Sequence, residues 1–130
     1  SWTYTTATYR QANANAANQV AVVVGVAEVM IQVHVRAAAA NGTAATVVLS
    51  VAIGEDSTTA PATGCLIDSS DAMVVNRTAK ISASLVTYPA VGYHFYAWLE
   101  QSAATGISTF FGDGGAATTI QYGMDGSIEG

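Results

Sequence analysis

The chain has 130 residues, 51% of them hydrophobic and only 10% charged, with a net charge of -5. That length suits one domain with its own buried core and no need of disulfide staples. One Lys, three Arg and no basic patch argue against nucleic acid, and the absence of a cationic amphipathic segment argues against a membrane surface.

The longest apolar run, Val20 to Met30, contains Gly25 and Glu28 and falls well short of the ~20 residues that span a bilayer. No signal peptide is visible, and a chain that opens at Ser1 reads as a processed form or an excised domain. Charged residues make up about 25% of an average soluble domain. The deficit here predicts a chain that replaces part of its charged surface with contacts to other copies.

Val, Ile, Thr and aromatic residues recur in short alternating runs broken by Gly, Pro, Asn and Asp, the signature of strands. The predicted strands, in chain order, are Trp2–Tyr9, Gln19–Val24, Glu28–Ala38, Thr43–Ile53, Ala79–Tyr88, Gly92–Glu100, Ile107–Phe111, Ala117–Tyr122 and Met124–Glu129. A further short one is placed near Met73–Val75. Between the first two, "RQANANAANQ" (Arg10–Gln19) reads as loop with at most one helical turn, because its Asn residues oppose the helix that its Ala residues favour. The spacing predicts an all-β chain: a single-domain antiparallel sandwich over residues 1–130, with 8–10 strands.

Around Asn41-Gly42 a hairpin is expected between Val29–Ala38 and Thr43–Ile53. A two-residue turn would put Val33 opposite Ser50 and send the two apolar rows to opposite faces. A three-residue loop, Ala40-Asn41-Gly42, puts Val33 opposite Leu49 and gathers all eight apolar residues on one face, so this register is preferred. Gly42 would then take the positive φ of the bulge. The opposite face carries Met30, Gln32, His34 and Arg36.

Cys65, the only cysteine, excludes an intramolecular disulfide and reads as a small buried hydrophobe. The carboxylate pairs Glu55-Asp56 and Asp68/Asp71 lie in turn-like loops and read as solvated turn residues. "DSSD" and "GDGG" offer oxygens for calcium but match no calcium loop, and no helix start or Lys follows "GDGG" to hold a phosphate. Asn41-Gly42-Thr43 and Asn76-Arg77-Thr78 match the glycosylation acceptor pattern. No Ser sits in a nucleophile-elbow pattern, and each of the two histidines falls on the non-core face of its predicted strand. The expectation is a non-enzymatic protein without cofactor or metal.

The stretch with most to say is "YPAVGYHFYAWLEQ" (Tyr88–Gln101). Its alternation places Tyr93, Phe95, Ala97 and Leu99 on one face and His94, Tyr96, Trp98 and Glu100 on the other. The first row is expected to fill the core. The second, His94, Tyr96 and Trp98, together with His34, is expected to form an oligomer interface or a ligand platform. Tyr and Trp suit either, having an apolar body and one polar handle. The remaining reading is a strand buried on both faces within one subunit.

"RQANANAANQVAVVVGVAE" and "YPAVGYHFYAWLEQSAATGISTFFGDGG" resemble segments of virion structural proteins of tailed bacteriophages, namely fibre, appendage and decoration proteins with a small β domain. The closing "GMDGSIEG" resembles the ends of such chains. Tyr88-Pro89-x-x-Gly92-Tyr93-x-Phe95 is similar to a strand of the complement-type and tumour-necrosis-factor-like globular heads, which are jelly rolls that form trimers. These resemblances imply a jelly-roll-like sandwich in a virion, a homotrimer with itself and other virion proteins as partners, and a host-surface glycan as a further partner. No catalytic residue transfers from either. The alternative is a carbohydrate-binding module with Trp98 and Tyr96 as its platform.

Overall fold

The computed structural model describes residues 1–112 and 121–129. Its strands are β1 (Trp2–Tyr4), β2 (Arg10–Gln11), β3 (Gln19–Val24), β4 (Met30–Asn41), β5 (Ser50–Glu55), β6 (Leu66–Asp68), β7 (Thr78–Thr87), β8 (Gly92–Gln101), β9 (Ser108–Phe111) and β10 (Gly123–Glu129). All pairings among them are antiparallel, as expected for a sandwich. The first sheet runs β1-β9-β4-β7-β6. Its long strand β4 is shared along one side by two shorter partners, β9 against Ala38–Asn41 and β10 against Met30–Arg36. The second sheet centres on β8, with β5 on one side and β2 and β3 sharing the other. From β3 to β5 and from β7 to β9 the chain changes sheet at every connection, so the two sheets are built together as a sandwich.

Alternation explains the layers. Ile31, Val33, Val35, Ala37 and Ala39 of β4 are buried, as are Ile81, Ala83 and Leu85 of β7. Val51 and Ile53 of β5 meet them from the second sheet, with Tyr96 and Trp98 of β8. Each large aliphatic side chain so buried contributes about 1.5–3 kcal/mol. A smaller cluster, Ala52, Ala97 and Leu99, lies on the far face of the second sheet, with Tyr9, Phe95 and Cys65 packed against it. β8 is therefore covered on both faces over its second half.

The expected hairpin does not form. β4 and β5 belong to different sheets, and Val33 pairs with Leu85 and Gly126, not with Leu49. The two apolar rows do share one core, but they meet across the sandwich instead of side by side. Asn41 explains the failed turn. Its buried amide Nδ2 donates to the carbonyls of Ala45 and Met73, each at 2.8 Å, and its Oδ1 accepts from Thr43 N at 2.9 Å. This draws 41–47 into a crossing, held by paired backbone bonds between Val47 and Met73. Gly42 is needed for close approach, since a Cβ there would meet the Ile107 carbonyl oxygen at 2.9 Å.

Element ends also differ from expectation. The strand expected over Trp2–Tyr9 stops at Tyr4, and that over Thr43–Ile53 begins only at Ser50. Met73 forms a single bridge, and β6 was not foreseen. Arg10–Gln19 contains a 3-10 turn at Ala12–Ala14. Most of the strand expected over Ala117–Tyr122 lies outside the described residues, as does most of "GDGG".

Candidate functional site

His94, Tyr96 and Trp98 share a face, but it is the face opposite to the one expected. Tyr96 is 0% exposed and Trp98 4%, both in the main core, whereas Tyr93 is 61% exposed. Tyr96 and Trp98 are thus core residues of this chain and not an exposed row, and the reading of β8 as buried on both faces holds over that half. The inversion has a physical cause: the polar atoms of Tyr96 and Glu100 find partners inside, although the buried Trp98 Nε1 has none among the described residues. Tyr96 donates its hydroxyl to Glu55 Oε1 at 3.2 Å, and burial followed by the Glu55 charge pushes the phenol well above its ordinary range. Glu100, 0% exposed, accepts from Arg10 Nε at 2.8 Å, from Asn13 N at 3.2 Å and from the Trp2 indole N–H. Burial pushes its carboxyl up, against the lowering effect of Trp2 and Arg10. Arg10 also lies 3.9 Å above the Tyr4 ring centroid. Together these contacts staple β1 and β2 to β8.

Asp56 and His94 form the second polar knot. Asp56 takes a left-handed turn conformation at φ 50°, which Asp tolerates better than most residues. Its Oδ2 lies 2.7 Å from His94 Nδ1, and its Oδ1 accepts from Phe95 N at 3.0 Å. His94 Nε2 reaches the Ala90 carbonyl at 2.9 Å. Two acceptors on one ring favour the imidazolium, so Asp56 and then Ala90 push His94 above its ordinary value. Burial pushes Asp56 upward, but the Phe95 amide and His94 outweigh it and hold the carboxyl below its usual range. Both ring nitrogens are engaged, which leaves neither to activate a nucleophile. The knot ties the β5 turn to the 88–92 loop.

His34 is placed elsewhere, on the outer face of the first sheet. The register sets it between Asp125 of β10 and Ser84 of β7, with Arg36 between Gly123 and Ser82 in the next row. A hollow of about 270 Å³ opens there, lined by His34, Arg36, Asp68 and Ser82 among others. The structure therefore separates His34 from the other three expected site residues. No group of three or more His, Cys, Asp or Glu gathers among the described residues. Burial raises the Cys65 thiol, and Ile53 N lies 3.4 Å from its sulfur.

The surface that sequence reasoning assigned to the core is on the outer face of the second sheet. Val23 (75% exposed) sits directly opposite Tyr93 (61% exposed), and the next pair is Ala21 and Phe95. Val91, also exposed, adjoins them in sequence. β3 pairs with β8 alone, so its other backbone edge has no strand partner among the described residues. That edge carries "QVAVVV" without a charge or a proline, the devices that ordinarily blunt an exposed edge. The readable signal was that Val20–Val24 is apolar on both faces, more than one core can use.

No family model, curated protein or solved structure matches the chain.

Proposed function

We propose that this chain is a non-enzymatic structural or adhesive protein of a virion, a phage fibre, head-decoration or appendage domain, acting through subunit assembly and surface contacts. The observation that carries the assembly half is the uncovered Val23–Tyr93 pair beside an unprotected β3 edge. A monomer seldom leaves a contiguous apolar face without a use, and a second copy is the partner such an uncharged surface fits. The low charge content points the same way. The virion half rests on the resemblance of Arg10–Glu28 and Tyr88–Gly115 to phage structural proteins, and the trimer on the similarity of Tyr88–Phe95 to trimeric heads.

Sedimentation at micromolar concentration should show a discrete homo-oligomer, with the trimer expected. The double substitution Val23→Glu and Tyr93→Ser should yield monomer with a nearly unchanged melting temperature, because neither side chain is in the core. A wild-type chain that sediments as monomer overturns the assembly reading. Antibodies raised against the chain should label intact virions.

A further inference from the structure

The hollow beside His34 has the make-up of a ligand site. It holds about 270 Å³ and is lined by three residues from each of three adjacent strands: 34–36 of β4, 66–68 of β6 and 82–84 of β7. Directly opposite residues on neighbouring strands share a face. The register therefore sets Arg36, Ser82 and Asp68 side by side in one row, and His34, Ser84 and Leu66 in the next. The middle strand, β7, contributes the two short side chains, Ser82 and Ser84. The strands on either side contribute longer ones, so the face carries a trough along β7 with a floor of hydroxyls.

Charge is ordered across the trough. Arg36 stands on one bank and Asp68 on the other, two strand spacings or roughly 10 Å apart at the backbone. Among the described residues the ion pairs are Arg10–Glu100 and His94–Asp56, so Arg36 and Asp68 do not close on each other. Asp125 sits opposite His34 on the far side of β4 and forms no ion pair with Arg36 either. Lys80 lies two residues from Ser82 on β7 and so on the same face. Arg36 and Lys80 are half of the chain's four Lys and Arg, gathered on one face of a chain with a net charge of -5. Leu66, 72% exposed, gives the Asp68 bank an apolar step.

We propose that this trough binds a carboxylated sugar, a uronic or sialic acid. Arg36 takes the carboxylate on its two-pronged guanidinium. Ser82 and Ser84, about 7 Å apart along the strand, meet ring hydroxyls. Asp68 accepts from hydroxyls on the opposite bank, and Leu66 packs against the C–H face of the ring. A simple anion would use Arg36 alone and meet the repulsion of Asp68 and Asp125. A neutral sugar would leave the guanidinium without its partner. A ligand with one carboxylate and several hydroxyls satisfies both banks. A volume close to the lower end of the ~300–1,000 Å³ range of ligand sites suits a single unit rather than a long chain. The site uses no residue of the Val23–Tyr93 surface, so it stands or falls separately from the oligomeric state.

Amide NMR of the nitrogen-labelled chain locates binding residue by residue. The probes are N-acetylneuraminic, glucuronic and galacturonic acids. Glucose, galactose, acetate and inorganic phosphate present the parts of that chemistry separately. At least one carboxylated sugar should shift amide signals of β4, β6 and β7 saturably, with a Kd of about 1 mM. The neutral sugars, acetate and phosphate should bind at least about tenfold more weakly, because each lacks one half of the contacts. Arg36→Gln, which removes the charge, and Ser82→Leu, which fills the trough, should each weaken binding about tenfold or more. Both side chains stand outside the core, so Tm should hold; should one variant fail to fold, the other carries the test. The proposal is overturned by no saturable shift with any carboxylated sugar up to about 100 mM, far above the expected Kd. It is equally overturned by acetate, phosphate or a neutral sugar binding as tightly as the acids, by shifts confined to other strands, or by unchanged affinity in a folded variant.

Discussion

Trp98 and Glu100 show how one strand can hide what its sequence advertises. In the row His94, Tyr96, Trp98, Glu100 the polar handles read as exterior, because a sequence does not show that Glu55 will arrive to satisfy Tyr96, or Arg10 and Trp2 to satisfy Glu100. Trp98→Ala should therefore cost about 3–5 kcal/mol in chemical denaturation and leave the sedimenting species intact. Arg10→Ala would strand the Glu100 carboxylate. The guanidinium is 30% exposed, so the loss at neutral pH should be nearer about 2 than 5 kcal/mol. It should shrink in acid, where protonation removes the stranded charge. The His94–Asp56 pair gives the wild type its own pH dependence. A raised His94 contributes stability that is full below the ordinary imidazole range and is lost as pH rises through its raised value. A lowered Asp56 contributes above the ordinary carboxylate range and loses its share as pH falls through its lowered value. The pair is thus strongest between those limits. Melting temperature should decline as pH climbs above about 6.5, and His94→Gln should flatten that decline.

At the scale of elements, strand existence was legible and strand partnership was not. β3, β7 and β8 lie within a residue of their predicted bounds at each end, because their alternation is a local property. Pairing is not local. The sorting of apolar rows correctly placed Val33 and Leu49 in one core, yet the same sorting is satisfied by two sheets face to face. β6, with the exposed sequence Leu66-Ile67-Asp68, carries no buried row and so no readable period. β5 has a feature that only the structure reveals. A Cβ on Gly54 would meet the Ser57 carbonyl oxygen at 2.2 Å and that of Ala60 at 3.0 Å, where the 57–60 loop folds over the strand. Gly54→Ala should lift that loop and cost about 1–3 kcal/mol, as overpacking does. The Asp56–His94 contact should weaken with it, readable as a drop in the imidazole pKa by NMR.

For the whole molecule, the order of strands governs how the chain folds. β1 pairs with β9 and β2 with β8, so the first residues are placed only after the last third of the chain exists. A topology so rich in distant pairings should refold in milliseconds to seconds, not microseconds, in a single cooperative transition. Stopped-flow fluorescence of the two tryptophans would measure it, since both sit at that late closure. The outer face of the first sheet carries a different consequence. In β4 and β7 the odd-numbered residues hold the core, while Gln32, His34, Arg36, Ser82 and Ser84 stand between them facing out. Residues that specify the fold and residues free to drift are interleaved yet physically separate. A lineage could rewrite Gln32, His34, Arg36, Ser82 and Ser84 and inherit the same scaffold, which makes this face the part of the surface where rapid diversification under selection would leave its mark.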